Sequence, residues 1–326
     1  MKYKRVEQID WDFSVIGFGC WGASGRGNWT GHSEEDQIKA IHKAIELGIN
    51  FFDVAPIYGF GNAEILLGKA IKGQRDKIFI ATKAGIPWTE SFDGYNDVTK
   101  ESLLKEIDES LHRLDVDYVD LLQVHWPTDK GVALKETIEA MKEIKESGKA
   151  KYIGLSNFSL ADIKEARKVV DIVSYQGLYN MLEINASNYH GINLQYRVND
   201  EILPECRESG MSFFPYSPLM QGLLAGKIVA DTEFGKDDVR QNNSKLQGDN
   251  RLKHLSVLDT IRNLPELKGK ALVEIAMNYL IAKEEVTSVI ATQANEEEVI
   301  MNVKSLEWEI SDDTIRKIDT IVKNNL

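Results

Sequence analysis

Two hydrophobic periods take turns along the chain. Short runs rich in apolar and β-branched residues recur at 14–19, 50–54, 78–82, 118–124, 152–155, 172–175, 212–215 and 288–290. Runs of this length without polar alternation read as strands covered on both faces. Between them, apolar residues fall at helical spacing: Ile38, Ile41 and Ile45, then Leu103, Leu104, Ile107, Leu111 and Leu114, then Leu134, Ile138 and Met141. Further helical patterns gather around Ile202, Leu203 and Cys206, over 255–261 and 272–280, and near the end over 296–304 and 312–323. Ser33, with Asp36 three residues on, is a helix start, as is Ser159, and Asn62 is placed to cap a helix carrying Ile65, Leu66 and Ile71. Gly48 suits the left-handed residue that closes a helix. Helix-to-strand joints repeat as ELGIN, ESGKAKY and ESGMS, and no linker or low-complexity segment divides the chain.

Eight strands alternating with helices predict one (β/α)₈ TIM barrel over residues 1–326, with extra loops and helices at its C-terminal face and C-terminus. A two-domain, doubly wound protein is the alternative. The charged opening MKYKRVEQIDWD reads as a small cover, and residues 220–250, polar and without clear period, read as an excursion over the barrel mouth. Residues 184–199, INASNYHGINLQYRVN, follow the sixth strand on the mouth side and show little core periodicity. They are expected to shape substrate choice rather than the fold, so that shortening them leaves thermal stability nearly unchanged.

Composition narrows the class. A formal charge of −12 argues against nucleic acid or an anionic membrane surface as a partner. Cys20 and Cys206 stand alone, without the spacing of a zinc site or disulfide framework, which suits a reducing compartment. The N-terminus lacks the apolar stretch of a signal peptide, and no apolar run approaches the ~18 residues of a membrane span. A cytoplasmic protein is expected. The histidines are His32, His42, His112, His125, His190 and His254, and of these only His125 ends a strand, so a metal-dependent hydrolase is disfavoured and no metal is expected.

Barrel enzymes assemble their sites from the C-terminal ends of different strands. Asp53, Lys83 and His125 end the second, third and fourth strands, and Tyr58 lies in the loop after the second, between Pro56 and Gly59. A phenol titrates near pH 10, and a neighbouring ammonium lowers that value. Asp53 would hold Lys83 charged, and His125 would orient a carbonyl. The set amounts to a proton donor for a carbonyl receiving hydride. Singly, Asp53 reads as a turn residue and Tyr58 as a packed aromatic. An Asp–Lys ion pair alone gives Tyr58 and His125 no reason to face the same mouth.

With GINFFDVAPIYGFGNAEILLGKAI, IATKAG, DYVDLLQVHWP, IGLSNFS and PYSPLMQGLLAGK in that order, the chain resembles the aldo-keto reductase superfamily along nearly its whole length. The resemblance implies hydride transfer between NADP(H) or NAD(H) and an aldehyde, ketone or sugar, without metal. It assigns the catalytic roles to Asp53, Tyr58, Lys83 and His125. It also implies that Ser156, Asn157 and Gln176 hold the nicotinamide carboxamide, and that Tyr216 stacks on its ring. Ser217, Leu219 and Lys227 match the segment over the pyrophosphate. Gly19, Cys20 and Trp21 match a first loop that approaches nicotinamide and substrate through its backbone. Some members of this family serve instead as cofactor-sensing regulatory subunits of a membrane protein, and turnover of a simple aldehyde separates the two roles.

The resemblance displaces one decoy. Gly17-Phe18-Gly19-Cys20-Trp21-Gly22 fits GxGxxG, but a dinucleotide-binding turn opens a helix directly on its glycines. Here about ten further residues precede the Ser33 cap. The chain also departs from the family pattern after the eighth strand, where Gln293, Glu298 and Asn302 match the residues around the adenosine. No Lys or Arg occurs from Ala291 until Lys304, and Glu298 stands where the family usually has Gln or Arg. An acid repels a 2′-phosphate and accepts a bond from a 2′-hydroxyl, so NADH or dual use is expected. Lys236 or Arg240 could meet a phosphate from the long loop, and Glu296, Glu297 and Glu298 could simply complement a helix dipole. Trp21, Trp29, Trp88 and Trp126 are candidates to line the substrate mouth.

Overall fold

The computed structural model describes residues 1–24, 33–128, 130–235 and 238–326. Trp29 and Lys236 lie outside the described residues. Eight parallel strands form the barrel: β1 Ile16–Gly19, β2 Phe51–Asp53, β3 Phe79–Ala84, β4 Val119–Val124, β5 Ala150–Ser156, β6 Ile172–Leu178, β7 Ser212–Tyr216 and β8 Val289–Thr292. They pair in the order β7-β6-β5-β4-β3-β2-β1-β8. The ring closes just below β8, where the Thr287 amide donates to the Phe213 carbonyl at 2.9 Å. Helices between the strands cover the outside, among them α1 Glu34–Glu46, α2 Asn62–Ala70 and α3 Lys100–Leu114.

Alternation along the strands separates floor from mouth. Phe51, Phe79, Leu121 and Phe214 form an apolar cluster inside the lower barrel with Phe13 and Ile290. Two residues on from the first two of these sit Asp53 and Ala81, and Lys83 follows at the end of β3. The floor is sealed by an antiparallel hairpin, Tyr3–Val6 with Trp11–Ser14. Its Phe13 is fully buried, with ring centroids 5.3, 4.8 and 5.4 Å from Phe51, Phe79 and Phe214. Burial of such a ring contributes about 1.5–3 kcal/mol.

Several elements differ from their sequence reading. The 14–19 run divides: Ser14 ends the hairpin, its hydroxyl turned onto the Ile16 carbonyl at 2.8 Å, and only Ile16–Gly19 joins the barrel. Asn62 does not cap α2. Gly61 occupies that position at φ 90°, and any side chain there would strike Arg113, whose Cδ lies 2.6 Å from the site of a Cβ. Asn62 is instead the first helical residue and donates to the Ala23 carbonyl. Ser33 and Ser159 cap as expected.

The 184–199 stretch is not peripheral. Asn188–Tyr189 and Ile192–Asn193 form a hairpin about His190 and Gly191, at φ 49° and 84°, the left-handed pair of a two-residue turn. Beyond it Leu194, Tyr196 and Val198 are buried in the core, while Gln195 is exposed. That period of two was hidden by the neighbouring asparagines. Shortening that reaches this buried end would therefore cost core packing, against the expectation that stability would hold, whereas the hairpin tip at Gly191 to Asn193 is exposed. The 220–250 excursion consists of short turns, and its last helix, Gly248–Arg262, starts earlier than the pattern predicted. Arg251 pins the excursion by donating to the Ala230 and Thr232 carbonyls.

Candidate active site

At the mouth, the ends of β2, β3 and β4 bring the sequence-predicted side chains together. The Lys83 ammonium, fully buried, bonds both Asp53 oxygens at 2.9 and 2.8 Å and the Val54 carbonyl at 3.1 Å. Its Nζ lies 3.2 Å from the Tyr58 hydroxyl. The loop that carries Tyr58 turns back on itself, with the Gly61 amide on the Pro56 carbonyl at 2.7 Å. Trp21 meets the Tyr58 ring edge-on at 4.9 Å, and His125 does so at 6.0 Å. The His125 amide bonds the Ala84 carbonyl at 2.9 Å, tying the end of β3 to the residue after β4.

Burial above all, and then the Asp53 carboxylate, hold the Tyr58 phenol well above its ordinary value. This reverses the direction expected from the ammonium alone. The phenol keeps its proton through the neutral range, the state a proton donor needs, and the ammonium is positioned to stabilise the phenolate left after donation. Burial, reinforced by Lys83, keeps His125 well below its ordinary value, so the imidazole is neutral and carries one N–H for an acceptor.

A cleft of about 610 Å³ opens at these groups. Gly19, Trp21, Asp53, Tyr58 and His125 line it. Ser156, Asn157, Gln176, Tyr216, Ser217, Leu219, Lys227, Glu298 and Asn302 also line it. Of the predicted site residues Cys20, Lys83 and Gln293 do not line it, and neither does Trp88. Cys20 is fully buried, and burial pushes its thiol up. Gln293 is fully buried as well, its amide without a hydrogen-bond partner among the described residues. Gln176 spends its amide nitrogen on Asp53, at 2.8 Å. Lys227 and Glu298 form an ion pair across the cleft, and the other Glu298 oxygen accepts from the Ala294 amide at 2.8 Å. Arg240 also lines the cleft, held by Asp238.

Sequence reasoning missed the hairpin's share of the site. Tyr189, His190 and Ile192 line the cleft. Tyr189 stacks with Trp126 at 6.5 Å and meets Tyr216 edge-on at 5.3 Å. His190 Nε2 lies 3.1 Å from the Gln221 amide nitrogen, and Lys245 ties the hairpin down through Glu183 and the Asn188 carbonyl. The residue pair His-Gly between β-prone residues was the available signal. Ile57 and Ile86 complete an apolar wall near Tyr58.

The donor set suits a dinucleotide: hydrogen-bonding side chains, an aromatic ring and a lysine line the same cleft as Asp53, Tyr58 and His125. Among the described residues, no group of three or more His, Cys, Asp or Glu side chains could hold a metal ion. No helix among them is long and apolar enough to cross a membrane.

Comparison with known proteins agrees. The model of the aldo/keto reductase family matches residues 15–323. An aldo-keto reductase of Bacillus subtilis is 30% identical over 331 residues, covering 100% of this chain and 95% of that protein. The NADH-specific methylglyoxal reductase of Escherichia coli is 30% identical over 325 residues, covering 96% and 95%. The solved structure of a glycerol dehydrogenase from Gluconobacter oxydans superposes with a TM-score of 0.87 at 29% identity, covering 100% of this chain and 96% of that one.

Proposed function

Because the chain belongs to the aldo/keto reductase family, it is an NAD(P)H-dependent oxidoreductase, and we propose that it reduces the carbonyl of a small aldehyde, ketone or sugar with Tyr58 as proton donor. When bound, a reduced nicotinamide supplies the hydride. Ser156, Asn157 and Gln176 would hold its carboxamide, Tyr216 its ring, Ser217, Leu219 and Lys227 the pyrophosphate, and Glu298 and Asn302 the adenosine. The neutral His125 directs its N–H at the substrate carbonyl oxygen. Tyr58 gives its proton to that oxygen as negative charge develops there. Lys83 stabilises the phenolate that remains, and Asp53 holds Lys83 in place.

The observation that carries this reading is the Asp53–Lys83–Tyr58 chain of contacts, at 2.8 and 3.2 Å, ending beneath a cleft that also receives His125. A structural ion pair needs no phenol at its end. Steady-state turnover of NADH and NADPH with a panel of aldehydes and sugars tests it. Methylglyoxal belongs in the panel because an Escherichia coli relative is named for it, and glycerol oxidation because a Gluconobacter structure is. Absence of turnover, with tight cofactor binding, would favour the regulatory role.

For the cofactor we infer use of NADH, alone or beside NADPH. Of the three acids that open the helix Glu296–Lys304, Glu298 lines the cleft. Each of its oxygens already takes one donor and retains a lone pair for a ribose hydroxyl. A 2′-phosphate would meet a carboxylate there. The relative from Escherichia coli is NADH-specific by name.

A further inference from the structure

Asn157 sits at the junction of four strand ends, and every hydrogen-bonding position on its amide is taken. Its Nδ2 donates to the His125 carbonyl at 3.1 Å and the Ser156 hydroxyl at 3.0 Å. Its Oδ1 accepts from two phenols, Tyr196 at 2.9 Å and Tyr216 at 2.8 Å. A side-chain amide is nearly symmetric in shape, so its orientation is set by its partners. The His125 carbonyl, which can only accept, sets the nitrogen end, and Tyr196 fills the oxygen end. The Tyr196 hydroxyl oxygen already accepts from the Leu178 backbone amide at 3.1 Å, so its own proton has to go to an acceptor. It goes to Asn157 Oδ1. The nitrogen end faces the His125 carbonyl and the Ser156 hydroxyl.

Tyr196 is 1% exposed and belongs to the buried end of the 184–199 stretch, opposite in character to the hairpin tip. It does not line the cleft. We propose that Tyr196 is a positioning residue for the nicotinamide end of the cofactor site: by bonding Asn157 Oδ1 together with Tyr216, it holds the Asn157 amide against the Ser156 hydroxyl, leaving that hydroxyl's own proton for the carboxamide, and holds the Tyr216 ring in place. The inference rests on the functional reading above, in which Asn157 meets the nicotinamide.

The test compares two ligands by calorimetry, NADH and ADP-ribose, the latter sharing every part of NADH except the nicotinamide. Tyr196→Phe is expected to weaken NADH by about three- to tenfold, the worth of one buried hydrogen bond, and to leave ADP-ribose within twofold. In an Asn157→Ala background the same substitution should no longer change the NADH to ADP-ribose ratio. A purely structural role would weaken both ligands together. Parallel losses, no loss, or a selective loss that persists without Asn157 would overturn the inference. Should Tyr196→Phe lack a cooperative thermal transition, Tyr216→Phe removes the second donor on the same oxygen while sparing the Leu178 bond, and it must show the selective loss. Wild-type protein that binds neither ligand would overturn the functional reading itself. Wild-type protein that binds both, with an unselective variant, overturns this inference alone.

Discussion

Replacing Lys83 by methionine separates the electrostatic role of the ammonium from its structural one. At 3.2 Å from the Tyr58 oxygen, a unit charge is worth ~5 kcal/mol to the phenolate at an effective dielectric of ~20. The Asp53 carboxylate on the far side of the ammonium takes part of that back, which leaves the ~10²–10⁴ in kcat usual for positioned acid catalysis. The substitution also strands a carboxylate whose side chain is 4% exposed, with the Gln176 amide as a remaining donor. Breaking one partner of such a pair costs about 3–5 kcal/mol. Lys83→Met should therefore lose both turnover and stability. The paired change Asp53→Asn with Lys83→Met should regain most of the stability and none of the rate. Denaturant titration and steady-state kinetics on the variants check this, and any residual rate should persist to higher pH because the phenol loses its stabilising charge. A double variant that recovers turnover along with stability would show that Lys83 only props the fold.

Other outcomes follow from the same geometry. Glu298→Arg should raise kcat/KM for NADPH relative to NADH by about tenfold or more, ~1.4 kcal/mol, and an unchanged ratio would remove Glu298 from cofactor choice. Tyr189→Ala should alter relative kcat/KM across an aldehyde panel by about tenfold while shifting the melting temperature only slightly, since the ring lines the cleft at a hairpin tip; parallel changes for all substrates would count against it. Burial pushes the Glu106 carboxyl up to about 7, although it accepts from the Gly85 amide and the Ser102 hydroxyl. The folded state thus holds a proton that the unfolded state has released, and Glu106 costs stability as pH rises from about 4.5 towards 7 and above. Glu106→Gln should raise the melting temperature at pH ~8 and leave it nearly unchanged at pH ~4.5, and a pH-independent effect would refute the assignment.

Asp53, Lys83 and His125 were legible because each ends a run of β-prone residues, and strand ends in a barrel share one face. The barrel itself followed from counting those runs. What escaped were contacts between residues distant in sequence. The bond from Gln176 to Asp53 joins positions 123 residues apart, and that from Tyr196 to Asn157 joins the two sides of a strand–helix unit. Local pattern carries no information about either. Cys20 was placed with Gly19 and Trp21 by the match to the family's first loop, yet Cys20 is fully buried and only Gly19 and Trp21 line the cleft. The Tyr58 phenol went the other way from expectation because charge proximity is readable from motif spacing and burial is not.

The most direct test of the central claim is Tyr58→Phe, assayed for carbonyl reduction and, separately, for binding of the reduced cofactor. The substitution deletes one hydroxyl and keeps the ring against Trp21. If Tyr58 supplies the proton, kcat falls by about 10²–10⁴ while the dissociation constant of the cofactor stays within a few-fold. Near-normal turnover in this variant, with wild-type cofactor binding, would contradict it.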